Sequence, residues 1–157
     1  MEEKTFTTLS TINVTDKTEK KNGLTYLSWA WAWAEFMKVC PEAKYEIREF
    51  EGKPYLYDEK LGYMVFTSVT IGEDTRTMWL PVMDGANKAM KDHPYKYQIR
   101  QKNWNTGQIE MAEKTVEPAT MFDINKTIMR CLVKNIAMFG LGLYIYAGED
   151  LPEEAAE

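Results

Sequence analysis

The sequence is poor in the residues from which most enzyme sites are built. Its 157 residues include one histidine and two cysteines. With His93 as the sole histidine, a His-based metal site or a Ser–His–Asp arrangement has only one available member. Its setting, Asp92-His93-Pro94, reads as a turn. Cys40 and Cys131 lie far apart without partners at metal-ligand spacing, so two buried thiols in a reducing cytoplasm are expected. The glycines match neither G-x-x-x-x-G-K-S/T nor G-x-G-x-x-G, which leaves no nucleotide cradle in view. Asp84, before Gly85, and Asp123, at a helix start, read as turn and cap residues rather than metal ligands. The expectation is a protein with no catalytic set, no metal and no cofactor. No uncharged apolar run reaches about 18 residues, so no membrane span is expected. The segment MEEKTFTTLS lacks a basic-then-apolar export signal, and a cytoplasmic location follows.

What is present suits one folded domain. Apolar residues make up 45% and charged residues 27% of the chain, close to the soluble average and too apolar for a disordered polymer. The formal net charge is −5, which at first sight argues against nucleic acid. Resolved by segment, the charge reads differently. Residues 1–41 are neutral, residues 42–75 carry −4, residues 76–148 carry +4, and residues 149–157 carry −5. The whole deficit equals one acidic C-terminal segment, EDLPEEAAE, of the solvated kind. The remainder is neutral overall, with a basic second half.

Three parts are therefore expected: a flexible N-terminal arm over 1–22, a domain over 23–148 and an acidic tail over 149–157. The arm is assigned because residues 1–22 show no sustained apolar period. A helix follows over LSWAWAWAEFMKVCP, capped by Ser28 and stopped by Pro41. At 100° per residue, Trp29, Trp33, Phe36, Met37 and Val39 gather with Ala32, whereas Trp31 falls opposite, beside Glu35 and Lys38. Strand-like runs at 45–50, 63–71 and 76–82, with YLY between the first two, are joined by short turns and read as an antiparallel meander. MDGANKAMKD (83–92) reads as a short helix or turn of helix. Residues 94–118 form two alternating arms around Asn105-Thr106-Gly107, a hairpin. TMFDINKTIMRCLVKNIAMFG (120–140) is a long helix closed by Gly140 and Gly142. The fold class is α+β: an antiparallel meander with a hairpin, packed against a long C-terminal helix.

Two features can carry chemistry. On the last helix Lys126, Arg130 and Lys134 line up at i, i+4 and i+8 in a narrow polar arc. Three cations without acidic i+4 partners repel one another by roughly 0.2–0.5 kcal/mol per pair, so a counter-charge is expected. Salt bridges to the acidic 42–75 sheet would supply it; so would a phosphate backbone, each cation releasing counterions. In the hairpin region Lys88, Lys91, Lys96, Arg100 and Lys102 interleave with Tyr95, Tyr97 and Trp104. Alternating cations and rings are what sequence-tolerant single-strand binding uses, although tyrosines packing across strands would look the same. Trp31, on the polar side of its helix, reads as a stacking platform or a subunit contact.

The segments YLSWAWAWAEFMK, MWLPVMDGANKAM and TMFDINKTIMRCLVKNIAMFGLGLYIYAGEDLP resemble phage single-strand annealing proteins of the Sak type, from about Leu24 to Pro152. That group is similar to the recombination mediator Rad fifty-two, in which the closing helix ends in a basic helix, then Phe-Gly, Leu-Gly and Leu-Tyr. Here these are Lys134, Phe139-Gly140, Leu141-Gly142 and Leu143-Tyr144, with a shortened spacer. The resemblance implies a Rad fifty-two-like fold, homo-oligomeric rings or filaments, and ATP-independent annealing of single-stranded DNA to its complementary strand in phage recombination. A host or phage single-strand-binding protein or exonuclease is a further candidate partner. Lys134 matches a DNA-contacting basic position of that superfamily, but neighbouring basic positions there are Val133 and Ala137 here. The phosphate path would then draw on Arg130, Lys126 and the hairpin's Lys96, Arg100 and Lys102, with Trp31, Tyr97 and Trp104 as candidate stacking rings. The alternative reading is an oligomeric scaffold whose basic helix pairs with a neighbour's acidic face, without DNA.

Overall fold

In the computed structural model, residues 2–21 and 23–147 are described. The acidic tail expected over 149–157 lies outside the described residues. The architecture follows from one long strand, β5 (Gly62–Ile71), on which everything else is assembled. Its side chains alternate in burial, with Val65, Thr67, Val69 and Ile71 turned inward, as the two-residue period of a pleated strand requires. β6 (Asp74–Pro81) pairs along one edge from Met64↔Pro81 to Ile71↔Asp74. β3 (Lys44–Ile47) and β4 (Leu56–Asp58) share the other edge. All pairings are antiparallel, but the order is not a simple meander. Ten residues of β5 are long enough to hold two short strands end to end. β3 and β4 are linked through a tight turn in which Glu51 and Gly52 both take positive φ, 53° and 79°, the geometry that a two-residue hairpin loop needs.

Helices cover one face of this sheet. α2 (Trp29–Val39) starts at Ser28, whose hydroxyl accepts the Trp31 N–H. α3 (Met121–Ala137) starts with a reciprocal capping box between Thr120 and Asp123. Such caps satisfy amide groups that have no partner within the helix. α3 lies against β5 and β6, and α2 lies against α3. Phe36 and Phe139 meet at 5.8 Å between ring centroids, both fully buried. A second apolar cluster joins Val65, Val82, Val116, Ile124 and Ile128. Between these clusters runs a buried polar chain. The Asn135 side-chain amide donates to the Thr67 hydroxyl at 3.0 Å, and that hydroxyl lies 3.4 Å from the Cys131 thiol.

Three expectations are corrected. The N-terminal segment is not a loose arm: α1 (Thr5–Ser10), a 3-10 turn (Thr15–Lys17) and β1 (Thr18–Lys21) are packed onto the domain, and Leu9 and Val14 are fully buried. Tyr144 anchors this segment by accepting the Val14 N–H at 3.0 Å. Gly140 makes the close approach possible: at φ +120°, a Cβ there would sit 2.6 Å from the Phe6 carbonyl oxygen. Two apolar anchors among threonines give no periodic signal, yet suffice when the receiving surface is already formed. Second, residues 83–92 contain no helix. Asp84 Oδ1 accepts from the backbone N–H of Ala86 and Lys88, a local competitor that favours turns over helix. Third, Trp31 does not stand clear on the polar side of its helix but is half-buried against the first cluster. Trp29, at the helix start, is the one left 48% exposed.

Candidate nucleic-acid interface

α3 buries all but a narrow arc, and Lys126, Arg130 and Lys134 occupy that arc, each half-buried. Each cation rests over a ring: Lys126 over Phe122 at 5.8 Å, Arg130 over Tyr26 at 4.0 Å and Lys134 over Tyr146 at 5.7 Å. Such contacts hold the aliphatic stems in place while leaving the charge unneutralised. Among the described residues none of the three forms an ion pair. The acidic 42–75 segment does not supply their counter-charge within one chain.

What faces them is the hairpin of β1 (Thr18–Lys21) and β2 (Leu24–Leu27), paired in antiparallel register from Thr18↔Leu27 to Lys21↔Leu24. Between this hairpin and α3 runs an open groove of about 390 Å³. Lys17 and Lys21 line it from one side, Lys126 and Arg130 from the other. Trp29 and Phe122 also line it and are 48% and 74% exposed. The one carboxylate along it among the described residues, Glu19, lies 3.7 Å from Lys21, an exposed pair of small energetic weight.

The second basic feature is separate. β7 (Tyr95–Lys102) and β8 (Ile109–Val116) form their own two-stranded sheet. Asn103 closes the turn, its side-chain oxygen accepting the N–H groups of Asn105 and Thr106. Alternation puts Lys96, Arg100 and Lys102 on one exposed face. Lys96 pairs with Glu113 at 3.0 Å, and Lys102 sits over Trp104, which is 86% exposed. Tyr97 points to the opposite face, packs against the second cluster and carries Lys88 over its ring. The cavities lined by Lys126, Arg130 and Lys134 contain no β7–β8 residue, and the cavity at the hairpin tip contains no α3 residue.

The groove brings Lys126 and Arg130, expected from the sequence, together with Lys17, Lys21, Tyr26, Trp29 and Phe122, which the sequence pattern did not single out. A signal was available in Lys17-Thr18-Glu19-Lys20-Lys21 before Gly23 and the apolar LTYL, a short hairpin pattern. His93 sits on the surface, with Nδ1 2.7 Å from Asp92. That contact, together with the Tyr57 hydroxyl, holds the Asp92 carboxyl below its ordinary range. Among the described residues, no three His, Cys, Asp or Glu side chains come together as a metal site would require. No helix there is long and apolar enough to cross a membrane.

An open groove flanked by cations and exposed rings is the layout of a protein that handles single-stranded nucleic acid. The chain belongs to the Sak single strand annealing protein family, whose model matches residues 4–157. Its role accordingly lies in DNA binding and single-strand annealing within DNA recombination. No curated protein and no solved structure matches the chain.

Proposed function

We propose that the groove between the β1–β2 hairpin and α3 is where this protein holds single-stranded DNA. The observation that carries this reading is the set of α3 cations, fixed over rings and without carboxylate partners among the described residues, facing Lys17 and Lys21 across an open channel. Each cation neutralises one phosphate and releases counterions. Trp29 and Phe122 offer faces on which bases of any sequence stack. Lys134 extends the track along α3 beyond Arg130. Backbone-directed holding leaves the pairing edges of most bases open to a complementary strand, and no step of annealing requires ATP. The β7–β8 face, with Lys96, Arg100, Lys102 and Trp104, forms a second basic surface suited to the incoming strand. Trp31 and Tyr97, half-buried, act through packing.

The same reading places the chain in a Rad fifty-two-like fold that works as a homo-oligomeric ring or filament in the cytoplasm, the domain running through 148 with the acidic tail beyond it. One groove spans only a few nucleotides, so annealing longer strands calls for repeated copies. A host or phage single-strand-binding protein or exonuclease remains a suitable partner. The test is equilibrium binding of a fluorescent oligonucleotide, with annealing of complementary strands measured in the absence of nucleotide triphosphate. Lys126→Gln combined with Arg130→Gln should weaken both. Full annealing by a folded double variant would remove the groove from the mechanism.

A further inference from the structure

A second cavity adjoins the groove and shares Tyr26, Leu27 and Arg130 with it. Its volume is about 80 Å³. At about 30 Å³ per water that is space for about three waters, enough for the edge of one flat heterocycle entering from the open groove. The lining is mixed. Leu80 and Val133 supply apolar wall, Arg130 and Lys134 positive charge, and Asp84 and Asn87 polar groups from the loop after β6. That loop is held in one shape. Asp84 Oδ1 accepts the N–H of Ala86 at 3.0 Å and of Lys88 at 2.9 Å, and the Asn87 N–H donates to the Asp84 carbonyl at 3.0 Å. Asn87 takes φ +60°, uncommon for a residue with a side chain. Among the described residues the second carboxylate oxygen, Oδ2, carries no hydrogen bond.

We propose that this cavity receives the outer edge of one nucleobase turned out of the strand, and that Asp84 selects a base bearing an exocyclic amino group on that edge. The proposal rests on the groove reading above and adds a base preference to it. Arg130 belongs to both cavities, so a phosphate held there leaves its own base within reach of the inner one. The apolar walls take the ring faces. The free carboxylate oxygen accepts from an amino group such as cytosine N4, whereas thymine would set its O4 carbonyl against that oxygen, two acceptors facing each other. Burying such a pair without a donor is unfavourable. Bases elsewhere along the groove meet only stacking faces and are held without selection.

The experiment uses the full chain with oligo-dC and oligo-dT of equal length, at low salt and mildly alkaline pH. Both are weakly stacking pyrimidine strands, and they differ mainly in amino against carbonyl at C4. The unaltered protein should bind dC about three- to tenfold more tightly, the worth of one hydrogen bond gained against one acceptor clash. Asp84→Asn keeps one side-chain oxygen for the loop and turns the free one into an N–H₂ donor. It should reverse the order in favour of dT and leave the salt dependence of binding unchanged. Equal affinity for dC and dT, or a dC preference that survives Asp84→Asn, overturns the base pocket while salt-dependent binding keeps the groove. Absence of any strand binding overturns the groove and the pocket together. Free deoxycytidine monophosphate should compete poorly. If it displaces the strand at equal concentration, the cavity is a mononucleotide site and the proposal falls.

Discussion

Salt dependence is the most direct measure of how many cations the strand engages. Lys17, Lys21, Lys126, Arg130 and Lys134 line the groove and its inner extension. If each neutralises one phosphate, log affinity should fall with log salt at a slope of about −3.5 per subunit, taking about 0.7 per contact for single strands. A fourfold rise in salt then weakens binding by about 130-fold. Replacing Lys126 and Arg130 by glutamine keeps much of the side chain that packs over Phe122 and Tyr26 and removes two charges. The slope should drop to about −2.1, so the same salt rise costs about 20-fold. The ratio of the two slopes, about 0.6, does not depend on how many subunits the strand crosses. Fluorescence anisotropy across a salt series gives both slopes, and circular dichroism checks that the variant is folded. A folded double variant with an unchanged slope would refute the assignment of the α3 cations to phosphate.

Other expectations concern the scaffold. Gly140→Ala places a methyl group 2.6 Å from the Phe6 carbonyl oxygen in a left-handed backbone, and should lower unfolding free energy by roughly 2–5 kcal/mol, read from denaturant midpoints. Phe36→Ala removes a fully buried ring from the first cluster and should cost about 3–5 kcal/mol in the same assay. Thr67→Val leaves the Asn135 amide without its acceptor and should cost about 1–3 kcal/mol. Adding Asn135→Leu should cost less than the sum of the two single changes, and strict additivity would show that the pair is not coupled. Burial pushes the Cys131 thiol up, with the Thr67 hydroxyl opposing. The unfolded thiol therefore loses its proton first, so this contribution is complete below the ordinary thiol range and declines as pH rises through it. Cys131→Ala should flatten the alkaline decline in thermal stability, and an unaltered profile would show that the thiol has no part in it.

The sequence by itself determined the local devices. Helix starts at Ser28 and Thr120, the Glu51-Gly52 turn, the Asn103–Gly107 hairpin loop and the i, i+4, i+8 cations of α3 depend on residues within one or two turns of each other. Their physics is short-ranged, so they are legible without partners. The motif content of the closing helix was enough to suggest the family. Only the tertiary structure decided where the basic groove lies. Lys17 and Lys21 meet Lys126 and Arg130 from more than a hundred positions away, and no periodicity encodes that meeting. It follows from Leu9 docking beside Gly140 and Val14 beside Gly142, which brings the N-terminal hairpin alongside α3. Trp31 packs against the first cluster while Trp29 stays exposed, the reverse of what a helical wheel alone assigns. The Asp84 loop, which carries a helix-like pattern, became one wall of a cavity because its side chain claimed the backbone first.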